Sequence, residues 1–196
     1  MSLADTLKES HQLVERIATI AQGVVFPTSD RARLSAALLD QVHEHHESIC
    51  LLLDRALVGS AFALARITFE TAVRGIWLFR CASDAEVEHF TKADRPKQDL
   101  DKLIAIIEGV VGVPQSALSL TKQKYWNGMC SYVHGGYLQA VRRISVTDIG
   151  SNYTDDEQIG VLSFANFCLL LASVELCALG NRDDLAVSIA HLSIEL

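Results

Sequence analysis

Apolar residues recur every three or four positions along nearly the whole chain, and the phase changes at glycines, prolines or short polar runs. Leu3, Leu7, Val14, Ile17, Ala18 and Ala21 predict a first amphipathic helix ending near Gly23. Phe26-Pro27-Thr28-Ser29 breaks it, and Ser29 or Asp30 caps a long helix reaching about Val58. The apolar face of that helix is Leu34, Leu38, Val42, Ile49, Leu52, Leu53 and Ala56. Gly59 divides it from a third helix over 60–81, and the two form an antiparallel pair. Ser83-Asp84 opens a short acidic segment to about Ala93, and Pro96 opens a helix through Leu100, Leu103, Ile104 and Ile107 to Gly109. Gly112 and Pro114 punctuate again. From Gln115 a helix carries Leu118, Tyr125, Trp126, Met129 and Val133 to His134, where Gly135-Gly136 offers a left-handed cap or a kink. One or two helical turns occupy 137–145, and 147–153 is a polar loop. Thr154-Asp155-Asp156-Glu157 has capping-box spacing and starts a strongly apolar helix ending at Gly180. Asn181 caps the last helix. No period-two alternation, internal repeat or low-complexity tract appears. The expectation is an all-α fold, one domain over 1–196, built as a bundle of about seven or eight helices.

The third helix, SAFALARITFETAVRGIWLFRC, organises the rest. It is apolar on nearly every side, as a buried helix is. The exception is a stripe formed by Arg66, Glu70 and Arg74, each four residues after the last and within about 80° of one another. Charges on a buried helix are costly unless they are paired or serve a ligand.

Composition narrows the setting. A chain of 196 residues with 49% apolar and 21% charged residues has the makings of one substantial core. A net charge of −7 argues against non-specific binding to nucleic acid or an anionic membrane surface. The five cysteines are odd in number, form no C-x-x-C pair and sit within apolar patterns, so reduced, buried thiols in a cytoplasmic protein are expected. The amino terminus has no signal-peptide pattern, and the longest uncharged run, 159–174, is too short for a bilayer span, so no membrane association is expected.

Glu175 repeats the anomaly of the stripe, lying on the face of Val161, Phe164, Cys168, Leu171 and Ala172. Two readings stay open. In one, two arginines are matched by two glutamates in a neutral structural network. In the other, one arginine stays partly free and holds an anionic group. The run HEHHE over 43–47 looks metal-like, but His43 and His46 find no second Glu-x-x-His elsewhere to complete a bundle site. No metal and no cofactor are expected, and His45 is placed in the core. His134 stands at a helix end beside two glycines, with Asn127 and Tyr132 within two turns. An imidazole so placed is a candidate general acid/base or anion contact.

The Arg-x-x-x-Glu on an apolar helix (Arg66, Glu70), followed by Ser-Tyr-Val-His-Gly over 131–135, resembles bacterial all-α families of unknown function with a distant likeness to HEPN helical bundles. The likeness covers roughly 60–137. It implies an up-and-down helical core and a homodimer; a setting in defence or toxin–antitoxin systems goes with a binding or regulatory module. HEPN ribonucleases carry an arginine, four to six residues and a histidine near a helix end. Here His134 matches the histidine, but Asn127 stands seven residues before it and no arginine lies between. A binding or regulatory module with a polar pocket of Arg66, Glu70, Arg74, Asn127, Tyr132, His134 and Glu175 is therefore the first expectation. Its ligand is a small anion or a protein, with RNA ranked behind. A ribonuclease using His134 with an arginine supplied from elsewhere in the fold, and a purely structural interaction protein, are the alternatives.

Overall fold

The computed structural model describes residues 2–111 and 117–194; the expected breaks at Gly112 and Pro114 and the expected start at Gln115 lie outside the described residues. The order of elements is α1 (Leu3–Ile20), α2 (Asp30–Asp54), α3 (Val58–Arg80), α4 (Asp84–Ala93), α5 (Leu100–Val111), α6 (Ala117–Val133), α7 (Tyr137–Val141), α8 (Asp155–Leu179) and α9 (Asp183–His191), closed by a 3₁₀ turn, Leu192–Ile194. The protein is an all-α bundle, with nine α-helices among the described residues.

The α2–α3 hairpin is its centre. The two helices approach so closely that a Cβ on Gly75 would stand 2.8 Å from Leu39 Cγ, and Ser35 Oγ donates to the Gly75 carbonyl at 2.8 Å. Leu39, Val42, Phe69, Val73, Ile76 and Trp77 fill the main core together with Leu103 and Ile107 of α5 and Cys168 and Ala172 of α8. Each fully buried large side chain among them contributes roughly 1.5–3 kcal/mol. Helix α8 packs on α2 and α3 on one side and on α1 and α9 on the other, which is why it is apolar all round. It is long and apolar enough to cross a membrane by length and composition, yet 67% of that stretch is buried among these helices.

The caps agree with the expected ends in part. Ser29, rather than Asp30, caps α2, and Thr154 and Glu157 close a capping box at α8. The turn between α2 and α3 falls earlier than Gly59: Ala56 takes the left-handed conformation (φ 55°) and Gly59 lies inside α3. Leu57 N–H donates to the Leu52 carbonyl at 2.7 Å and Ala56 N–H to Leu53 at 3.0 Å, the paired bonds of a Schellman cap. Asn181 plays the same part for α8 (φ 57°), so it ends that helix instead of starting α9. Pro96 does not open α5; the Asp99 carboxylate accepts from Lys102 N–H at 3.0 Å and marks the start.

Candidate functional site

The stripe on α3 folds as one ion-paired unit. Arg66 Nε donates to Glu70 Oε1 at 2.7 Å, and Arg74 Nη2 donates to Glu70 Oε2 at 2.8 Å. The side chains of Arg66, Glu70 and Arg74 are 20%, 16% and 38% exposed, so the stripe lies half-buried along a groove rather than inside the core. Helix α6 covers it only in part. The guanidinium of Arg66 sits 4.6 Å from the ring centre of Trp126, and Lys122 Nζ lies 4.7 Å from the same ring. Lys122 is held by Asp101 of α5 at 2.8 Å.

His134 reaches the stripe from the end of α6. Its backbone N–H donates to the Cys130 carbonyl at 3.1 Å, Gly135 adopts φ 64°, and Gly136 N–H donates to the Ser131 carbonyl at 2.7 Å. Only a residue free of a Cβ takes that conformation without strain, so the glycine pair turns the chain sharply just after the imidazole. Arg66 Nη1 lies 2.8 Å from His134 Nε2. A guanidinium only donates, so Nε2 accepts and the imidazole in this contact is neutral, its proton assigned to Nδ1. Helices α3 and α6 thus bring together Arg66, Glu70, Arg74 and His134, the four residues singled out first.

The remaining candidates part company with them. Glu175 pairs with Arg80 at the end of α3, Nε to Oε2 2.8 Å, and makes no bond to Arg66 or Arg74. Arg80 escaped the sequence reading because it lies in the last turn of the helix, where a cation suits the dipole and needs no other reason. Asn127 is exposed on α6 and forms no hydrogen bond with the stripe. Tyr132 turns to the neighbouring face, its ring 4.8 Å from Phe62 and 6.3 Å from Tyr153. Burial, its largest cause, raises the Tyr153 phenol well above the ordinary tyrosine range.

The core histidine is His46, not His45. His46 is fully buried, and its Nε2 lies 2.7 Å from Asn166 Oδ1, which also accepts from Ser10 Oγ at 2.9 Å. Burial lowers the pKa of His46, against a smaller opposing effect of the Asn166 bond. His45 is half-buried with Nε2 unpaired, and His43 meets Ser173 Oγ at 3.1 Å. The signal was present: 42, 46, 49 and 53 continue the spacing of the buried face. Among the described residues no three His, Cys, Asp or Glu side chains are grouped to hold a metal ion. All five thiols are free, and burial raises Cys50 to about 11.

The outcome differs from a neutral network of two arginines and two glutamates. Arg66 and Arg74 share one carboxylate, and with Lys122 neutralised by Asp101 the groove keeps one positive charge in excess. Arg74, the most exposed of the three, bonds Glu70 through Nη2, and among the described residues its Nε and Nη1 take no hydrogen-bond partner.

Residues 39–195 match a family of unknown function, DUF6988. The chain belongs to that family. No curated protein and no solved structure matches it. The DUF6988 match takes in α2 from Leu39 onward, all of α3 with the stripe, His134 and α8, leaving α1 and the start of α2 outside.

Proposed function

We propose that this DUF6988 protein is a bacterial, cytoplasmic binding or regulatory module of HEPN-like shape that takes a small anionic group at the groove between α3 and α6. One observation carries the reading: two arginines divide a single carboxylate, and Arg74, the more exposed of them, keeps donors that no described residue uses. A planar guanidinium with free N–H groups is suited to carboxylate or phosphate oxygens. Free thiols fit a reducing compartment. A homodimer would find apolar surface beside the site, where Tyr137, Leu138, Ile144, Val146 and Ile149 are exposed.

Thermal denaturation with inorganic phosphate, sulfate and nucleoside phosphates tests the binding reading. A ligand at a hundredfold its Kd adds about 2.7 kcal/mol of stability, and Arg74→Ala removes that gain. Equal, large losses of stability in Arg66→Ala and Arg74→Ala, with no anion effect in the parent, would leave a structural network instead.

A ribonuclease is the second reading, favoured by the Arg66–His134 contact, in which α3 supplies in space the arginine that α6 lacks in sequence. Incubation with labelled RNA against a His134→Ala control decides it; identical products in both remove the enzyme.

A further inference from the structure

Two glycines in helix interiors face one hollow. Helices α3, α6 and α8 leave between them a half-enclosed cavity of about 260 Å³, walled by Phe62, Tyr125, Met129, Tyr132, Val161 and Phe164, with Gly128 and Gly160 on its facing sides. Glycine weakens a helix interior relative to alanine, so its presence asks for a reason. Close packing is one such reason, as at Gly75, where a Cβ would strike Leu39. At Gly128 and Gly160 a Cβ would meet no heavy atom within 4 Å, and neither has a positive φ. The two missing side chains leave that space open, Gly128 half-buried within it and Gly160 exposed at its edge.

The lining says what would fill it. Phe62 lies 4.8 Å from Tyr132, and Tyr125 stands edge-on to Phe164 at 5.7 Å. The one charged wall residue, Glu157, is already engaged by Arg142 and Thr154. A carboxylate or ammonium on the ligand would lose hydration there without a free counter-charge. Apolar cavities of about 150 Å³ take up benzene, and ordinary ligand pockets begin near 300 Å³, so the hollow suits one or two fused rings.

We propose that this cavity is a binding site for a small, uncharged aromatic molecule, separate from the anion groove and independent of that reading. Indole is the probe, titrated calorimetrically into the full chain, with benzoate and benzylamine as charged counterparts. Indole binds saturably at one site, and the charged rings bind at least tenfold more weakly. Gly160→Leu, which fills the hollow, lowers indole affinity at least tenfold. Gly128→Ala/Gly160→Ala raises the Tm of the free protein by about 3–8 °C while weakening indole severalfold, and it carries the test should the leucine variant fail to fold. Absence of saturable indole binding, affinity unchanged in the filled variants, or benzoate bound as tightly as indole would each overturn the proposal.

Discussion

Replacing Glu70 by glutamine keeps the shape of the side chain and removes the one negative charge that Arg66 and Arg74 share. The two bonds are unequal. The Arg66 bond is the sheltered one, with side chains 20% and 16% exposed, and a charge-assisted bond in such a place is worth about 1.5–3 kcal/mol. The Arg74 bond involves a guanidinium 38% exposed, where solvent screening reduces the gain to about 0.5–1 kcal/mol. The amide recovers about 0.5–1 kcal/mol by accepting from one arginine. The expected net loss is about 2 kcal/mol, or about 4–8 °C in Tm for a chain of this size. Urea denaturation followed by helical circular dichroism measures it, with an unchanged slope showing that only stability moved. A loss under about 0.5 kcal/mol would refute the idea that this carboxylate holds the stripe together.

The same substitution separates structure from binding, because the two effects run in opposite directions. Glu70 competes with any incoming anion for the guanidinium donors. Glu70→Gln therefore weakens the free protein yet enlarges the rise in Tm produced by phosphate, whereas Arg74→Ala abolishes that rise. A phosphate response that falls in Glu70→Gln would mean that the groove does not take anions through these arginines.

Three further outcomes follow from the fold. Ala56→Gly relieves a left-handed alanine worth about 1–2 kcal/mol of strain, less about 0.4–1 kcal/mol for the freer unfolded chain; denaturant titration should show a gain of about 0.5–1 kcal/mol. Gly75→Ala drives a methyl group into the fully buried Leu39 and should cost about 1 kcal/mol or more even after the better helix propensity of alanine, read as a lower Tm. Burial lowers the pKa of His43, His45 and His46, so below about pH 6.5 the unfolded chain takes up protons that the native state refuses. Stability should then fall with acid by up to about 1.4 kcal/mol per pH unit for each histidine, and His46→Gln should flatten the slope.

How far the chain could be read depended on whether a feature is local. The stripe was legible because a four-residue repeat of charges on an otherwise apolar helix fixes both the face and the mutual reach of Arg66, Glu70 and Arg74. Its meeting with His134 rested on a weaker cue, a histidine at a helix end followed by two glycines, and Gly135 makes the sharp cap that the cue implied. Glu175 shows where such reasoning stops. Its inward face was correctly read, since it is buried, but helical phase names a face and not the neighbour across it, and the neighbour is Arg80. His45 and His46 differ by a single 100° step, and in a helix with polar residues on both flanks of its buried face that step decides which imidazole is enclosed.

The charge of the groove is likewise a property of pairing. Moving Glu175 to Arg80 removes the second carboxylate from the sum, and the neutral network becomes a site with a cation to spare. The positive excess in the groove therefore depends on Glu175 staying out of it. Were Glu175 able to swing to Arg74, the excess charge would vanish, so Arg80→Ala, which frees Glu175, should weaken phosphate binding only if Glu175 then reaches the groove. A measured phosphate affinity unchanged in Arg80→Ala would show that the two ionic clusters on α3 act independently, as their separate partners imply.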